Sequence, residues 1–325
     1  MRAVRSTPEN LDGGSVIDAV RQNWDFDADV VEYAALGAGS YHWEVRDTTG
    51  RRAFATVDDL SQKAWLGDTR DAAFNGLRTA FDTSVALRDT GLQFVVAPIP
   101  TRKGESLRRL DPQYAIALFP FVEGKAGEFG RYEDDDREAI LAMLADLHQA
   151  PVTPAMRSAG LTIPGRRHLE AALLDLDETW TGGPLSEPAR EAVRDSASEL
   201  AELLSLADRL AAEAEQLGAR SVVTHGEPHA ANVMRTSEGR VLVDWDTVAL
   251  APPERDLWML VDDDQIDAQV NETAIDYFRL TWDLKDLAEY LNVFRSPHQE
   301  NDDTVREYRA LSECAAIRET WSSTL

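Results

Sequence analysis

The sequence predicts an α+β fold, with an antiparallel five-stranded sheet in the first third of the chain and a mostly helical remainder. Three observations point there. β-rich segments separated by turns crowd the stretch before Phe119, and leucine and alanine stripes at helical spacing dominate beyond it. One β-rich hairpin near residue 240 interrupts those helices. Taken in order, the chain through Trp24 reads as a short helix with Val16, Ile17, Val20 and Trp24 on one face. Residues 30–36 form the first strand, and Gly37-Ala38-Gly39-Ser40-Tyr41-His42 turns into the second at 43–46. Asp47-Thr48-Thr49-Gly50 is a turn, and 52–57 the third strand. A helical stretch covers 71–89, and the apolar runs 94–98 and 114–119 complete the sheet. Residues 138–148 carry Ile140, Leu141, Leu144 and Leu147 on one stripe. Residues 188–217 do the same with Leu200, Leu203, Leu204, Leu210 and Leu217, after a break at Gly182-Gly183-Pro184. Further helices are expected at 254–261, 270–283, 284–295 and 303–322.

Composition narrows the function. With 325 residues, 43% of them hydrophobic, the chain can bury a large core and divide into two lobes. No apolar run approaches membrane-spanning length, and Met1-Arg2-Ala3-Val4-Arg5-Ser6 lacks a signal-peptide core, so a soluble, cytoplasmic protein is expected. A single cysteine, Cys314, excludes an internal disulfide and a cysteine-based zinc cluster. A net charge of -25 disfavours nucleic acid and anionic membranes as partners and suits a cationic small substrate. The same charge also serves solubility or a salt-rich habitat. Oligomeric state is not legible.

The chemistry concentrates in one stretch. A strand-like run, Ser221-Val222-Val223-Thr224, leads into His225-Gly226-Glu227-Pro228-His229-Ala230-Ala231-Asn232. Residues 233–236 and 240–243 then read as paired strands. Ser237-Glu238-Gly239 has the composition of a three-residue hairpin loop with glycine at the left-handed position. Pairing about Glu238 sets Asn232 opposite Asp244. An amide oxygen and a carboxylate side by side make a hard-oxygen pocket suited to Mg²⁺, with phosphate completing the shell. Glu227, on the preceding loop, is placed to take a proton from an attacking hydroxyl. No spacing of histidines or cysteines indicates zinc, and no Gly-x-Ser-x-Gly elbow indicates a serine hydrolase.

His225, Gly226, His229, Asn232, Asp244, Trp245 and Asp246 match a His-Gly-Asp-x-His-x-x-Asn loop followed by Ile-Asp-Trp/Phe-Asp/Glu. Pro253-Glu254-Arg255-Asp256-Leu257-Trp258 matches a Pro-x-x-Asp-Leu segment. On these residues the chain resembles the aminoglycoside phosphotransferase family, relatives of protein kinases and choline kinases. The resemblance implies a protein-kinase-like two-lobed fold: 1–119 as nucleotide-binding lobe, 120–124 as hinge, and 125–325 as helical lobe with catalytic loop and substrate pocket. It implies transfer of phosphate from ATP, with Mg²⁺, to a hydroxyl of a small molecule. The Trp245–Glu254 segment looks closest to spectinomycin-type phosphotransferases, which favours an aminocyclitol or related antibiotic. A sugar, a choline-like metabolite or another natural product stays open. In this scheme Asn232 and Asp244 hold Mg²⁺, Glu227 is the base, and Asp246 assists. Gly37, Gly39 and Ser40 lie over the phosphates, Phe119 and Phe121 near the adenine, and Asp256 braces the loop.

Two departures stand out. The family's base is usually aspartate, and a displacement of about 1 Å can cost on the order of a hundredfold in rate. Glu227 therefore also fits a catalytically silent, nucleotide-binding relative. Kinase folds also place a lysine on the third strand, paired with a helix glutamate. Here Thr56 stands near that position, residues 71–89 contain no glutamate, and the lysines are Lys63, Lys103, Lys125 and Lys285. Lys63 reaches back, an arginine substitutes, or the triphosphate is bound without the pair; a surface role for Lys63 is the default. Among the histidines, His225 is expected to anchor the loop, His229 to serve local structure or touch phosphate, and His42 to contact phosphate or nothing. The acidic runs 134–136 and 262–264 read as helix starts or solvated clusters, the second also as a lining for a cationic substrate.

Overall fold

Helix α1 (Gly13–Asn23) starts at Asp12, whose carboxylate accepts the Ser15 N–H at 2.8 Å and so satisfies one of the free donors of the first turn. The computed structural model describes residues 7–8, 10–36, 39–132, 135–218, 220–260 and 270–314. Gly37, Asp134, the acidic run 262–264 and the expected helical residues beyond 314 lie outside them. The chain divides into two units: Ala3–Gly160 with Arg220–Asp263, and Leu161–Ala219 with Asp264–Leu325 and Met1–Arg2.

In the first of these, strands β1 (Ala28–Ala34), β2 (Ser40–Asp47) and β3 (Arg52–Asp59) form an antiparallel meander. Helix α2 (Arg70–Asp89) follows, then β4 (Arg108–Arg109) and β5 (Tyr114–Pro120). The five strands run in the order β1-β2-β3-β5-β4, all antiparallel. Strand β5 reads as an unbroken apolar run because both of its faces are covered. Ile116 and Leu118 pack with Val16 and Val20 of α1, while Ala115 and Ala117 pack with Leu77 and Phe81 of α2. Burying each such large aliphatic side chain contributes about 1.5–3 kcal/mol.

The sheet has the expected number of strands but not the expected fourth one. Residues 94–98 are not in it: Val96 N–H donates to the Leu242 carbonyl at 3.1 Å, and Leu242 N–H to the Phe94 carbonyl at 2.7 Å. The apolar run is thus spent on the hairpin near residue 240, and Arg108–Arg109 takes the sheet edge.

Beyond β5 come β6 (Lys125–Ala126) and helix α3 (Asp136–Leu147). Three helices of the other unit follow, α4 (Arg166–Leu174), α5 (Ser186–Arg194) and α6 (Ala197–Gln216). The chain then returns to the first unit for β7 (Val222–Thr224), β8 (Val233–Thr236), β9 (Gly239–Leu242), β10 (Ala249–Ala251) and the single turn α7 (Glu254–Leu257). The last described elements are α8 (Glu272–Arg295) and α9 (Asp302–Cys314). Helix α8 joins the two helices expected at 270–283 and 284–295. No glycine or proline separates them, and Leu280, Leu284, Leu287 and Leu291 are buried in one continuous stripe. Conversely, the stretch 188–217 breaks at Asp195-Ser196, residue types that compete for backbone groups at helix ends. Helix α8 packs against α4, α5, α6 and α9. No described helix is long and apolar enough to cross a membrane.

Candidate active site

β7 pairs antiparallel with β10, and the loop between β7 and β8 carries the motif residues. Asp256, fully buried at the start of α7, accepts the His225 N–H at 3.0 Å and the Gly226 N–H at 2.6 Å. His148 at the end of α3 meets the same carboxylate at 2.9 Å. Burial works against the Asp256 anion, but His148 and Arg255 outweigh it and hold its pKa below the usual aspartate value. The brace expected of Asp256 is therefore present.

His225 anchors the loop, as expected. The Glu227 N–H donates to its Nδ1 at 3.3 Å, so its Nε2–H donates to the Val243 carbonyl at 3.0 Å. Burial keeps its ring neutral, with a lowered pKa. Gly226 has φ 99°, and a Cβ there would collide with the Arg255 guanidinium, which binds Thr224 Oγ1 and the Thr247 carbonyl at 2.8 and 3.0 Å.

The hairpin's register differs by one residue from the expected pairing. Thr236 pairs with Gly239 and Val233 with Leu242, so the loop is Ser237-Glu238 and Asn232 lies opposite Val243, whose N–H it accepts at 2.9 Å. Thr236 Oγ1 closes the two-residue turn by accepting the Glu238 N–H and donating to the Gly239 carbonyl. Asp244 consequently falls just past the ladder. Among the described residues it is the only non-glycine with positive φ (66°, with ψ 64°), a conformation that costs about 1–3 kcal/mol. That turn sends Trp245 into the core, its indole N–H donating to the Leu242 carbonyl at 2.9 Å, and leaves the Asp244 side chain open to solvent. The protein mass around its carboxyl, with Asp246, Glu227 and Asp58 nearby, pushes its pKa well up, while Lys63 opposes.

Asn232 is buried, and its amide nitrogen donates to the Glu227 carbonyl at 2.9 Å, which leaves its oxygen to accept. Glu227 is 9% exposed on the same loop. His229 is buried beside it, its ring at 4.8 Å from that of Phe129.

Lys63 is not a surface residue. It follows the 3-10 turn Leu60–Gln62 after β3 and is only 2% exposed. Its ammonium lies 2.7 Å from Asp246 Oδ2, 2.9 Å from Asp58 Oδ1 and 3.2 Å from Ser40 Oγ. Asp58 shares a strand face with Thr56, so the ammonium returns to the face where the strand lysine was expected. Burial would lower its pKa, but Asp246, Asp58 and Asp244 drive it upward.

The other expected nucleotide residues are dispersed in role. Gly39, with φ 89°, leads into β2. Ser40 is buried, its hydroxyl donating to Asp58 at 2.6 Å. The Phe119 ring meets Phe81 of α2 edge-on at 5.5 Å, and the Arg52 guanidinium covers the Phe121 ring at 3.4 Å. His42 lies in β2, not on the glycine turn, with Nδ1 at 3.2 Å from Thr56 Oγ1.

Three residues at the site were not singled out in the sequence. Asp58 had a faint signal, an acid at the end of an apolar strand. Arg255 lies inside a matched motif. Arg157 had none; it links the loop after Lys63 to the segment after Asp246, donating to the Trp65 and Thr247 carbonyls at 3.3 Å each. Burial and the nearby Arg255 charge lower its pKa to about 10.

Comparison with known proteins places this geometry. A model of the phosphotransferase enzyme family matches residues 31–290. Protein StrN of Streptomyces griseus is 30% identical over 250 residues, covering 74% of this chain and 76% of that protein. Spectinomycin phosphotransferase APH(9)-Ia, solved with ADP and spectinomycin, superposes with a TM-score of 0.70 at 16% identity, over 96% of this chain and 99% of that one. Amicoumacin kinase hAmiN, solved with AMP-PNP, Ca²⁺ and its ligand, gives 0.53 at 13% identity over 95% and 94%. These likenesses carry the protein-kinase-like α+β fold, and with the matched loop, hairpin and brace they show that the chain belongs to the phosphotransferase enzyme family.

Proposed function

We propose that the protein transfers the γ-phosphate of ATP to a hydroxyl group of a small molecule. The observation that carries this reading is the convergence, in one unit, of Glu227, Asn232, Asp244 and Asp246 of the catalytic segments with the Lys63 ammonium from the sheet. Lys63, Arg157 and Arg255 stand among the carboxylates of Asp58, Asp244, Asp246, Glu227 and Asp256, so the site carries excess negative charge. That excess, and the hard-oxygen donors Asn232 and Asp244, fit a divalent cation that brings phosphate with it. Bound there, Mg²⁺ would neutralise charge on the transferring phosphoryl group. Glu227, held through its backbone by His225 and Asn232, orients the acceptor hydroxyl and takes its proton. Lys63 offers a permanent cation to the nucleotide phosphates.

In this reading residues 1–119 bind nucleotide, with Gly37, Gly39 and Ser40 at the phosphates. Residues 120–124 form the hinge beside the adenine, with Phe119 and Phe121 at its edge, and 125–325 supply the catalytic loop and the acceptor pocket. The likeness to APH(9)-Ia, solved with spectinomycin, favours an aminocyclitol acceptor. The glutamate at 227 favours a second reading, a silent nucleotide-binding relative.

Titration with ATP, with and without Mg²⁺, followed by turnover against a panel of hydroxylated amines that includes spectinomycin, separates the two. Nucleotide binding without transfer to any acceptor would favour the silent protein. In an active enzyme, Asp244→Ala should abolish transfer and leave the fold intact, since the side chain it truncates faces solvent.

A further inference from the structure

Helix α2 follows the third strand, where kinase folds carry the glutamate that holds the strand lysine, yet it contains no glutamate. Its acids are engaged elsewhere or exposed: Asp71 pairs with Arg109 at 2.9 Å, Asp82 accepts the Ser106 hydroxyl at 2.5 Å, and Asp89 is exposed. The Lys63 ammonium is nevertheless buried and paired. Its partners on the sheet are Asp58, 1% exposed at the end of β3, and Ser40, the first residue of β2. Ser40 donates to the same Asp58 oxygen that pairs with the ammonium, which makes a closed three-membered cluster. The other carboxylate oxygen of Asp58 is buried with no partner among the described residues, so the cluster is held from one side only.

We propose that Asp58 and Ser40 are positioning residues that hold Lys63 ready for the nucleotide phosphates, the task a helix glutamate performs in kinase folds. The proposal rests on the nucleotide-dependent reading above. Because Asp58 and Lys63 sit on one strand and its following turn, the pair forms without any contribution from α2. A buried ammonium needs a counter-charge in place before ligand arrives, and Asp58 supplies it from within the sheet. Asp246, less buried and on the catalytic segment, is the partner that phosphate oxygens exchange with. Ser40 couples the glycine turn to the same cation.

The test is calorimetric titration of Mg²⁺–ADP and of adenosine into wild type, Lys63→Met, Asp58→Asn, Ser40→Ala and the Lys63→Met/Asp58→Asn double variant. A charge-assisted contact corresponds to roughly tenfold or more in affinity. Lys63→Met and Asp58→Asn should each weaken ADP binding by about that factor, with Ser40→Ala smaller. The double variant should bind ADP no more weakly than Lys63→Met alone, because Asp58 acts through the lysine. Adenosine, which lacks phosphates, should bind all variants alike. Additive losses, or an Asp58→Asn protein with a lower Tm but unchanged ADP affinity, would overturn the proposal and leave the phosphotransferase reading standing. Wild-type protein that binds no nucleotide would overturn both. If Asp58→Asn does not fold, Ser40→Ala combined with Lys63→Met completes the same cycle.

Discussion

Gly226 shows how much one backbone position carries. Its φ of 99° and the Arg255 guanidinium packed against its α-carbon exclude any side chain. Gly226→Ala should cost at least about 1–3 kcal/mol in unfolding free energy and lower turnover more than nucleotide affinity, because the displaced loop carries Glu227. Denaturant unfolding and steady-state kinetics check both. Glu227 itself admits a sharper pair of variants. Glu227→Gln keeps shape and reach but accepts no proton, so turnover should fall about 10²–10⁴-fold with ATP binding preserved. Glu227→Asp should impair an enzyme built around the longer side chain; if it activates an otherwise inert protein instead, the base assignment fails.

At the scale of elements, the β2–β3 pair carries a built-in pH dependence. The His42 ring stacks on Phe54 at 5.2 Å between ring centres, beside Thr56, and burial followed by the Lys63 charge lowers its pKa to about 4. The unfolded chain takes up that proton near pH 6.5. Stability from the neutral ring is therefore complete above pH 6.5 and is lost as pH falls toward about 4, by up to about 3 kcal/mol. His42→Gln should flatten the unfolding free energy over that window; an unchanged slope would show that His42 is not its source. The hairpin of β8 and β9 shows what element-level reading misses. Composition identified its strands, but a two-residue turn closed by Thr236 shifted the register by one, and the apolar run 94–98 bonded to its back rather than to the sheet.

For the whole molecule, a net charge of -25 sets a long-range negative field. If the acceptor is a cationic amine, its KM should rise when ionic strength goes from about 0.01 to 0.15 M, as the Debye length shortens from roughly 30 to 8 Å. A neutral acceptor's KM should stay put. Equal salt responses for cationic and neutral acceptors would remove the net charge from any account of substrate choice.

Fold class, family and the chemistry-bearing loop were legible in the sequence, because they rest on local patterns. Alternating and helical periodicity mark the elements, and the spacing from His225 to Asp246 is a run of short-range constraints on one loop and one hairpin. The anchoring role of His225 was legible in the loop itself, and the brace at Asp256 came from the family resemblance. What tertiary structure decided was which side chains meet. Lys63 looked like a surface lysine because nothing in its own segment shows that a turn folds its ammonium back beneath β3, where Asp58, Ser40 and Asp246 wait. Arg157 carries no motif at all, and its tie between the Lys63 loop and Thr247 exists only once strand, loop and hairpin are packed. Of the partners of Lys63 only Asp58 is local; Ser40 and Asp246 lie 23 and 183 residues away, so no short window of sequence contains the whole cluster that fixes the buried charge.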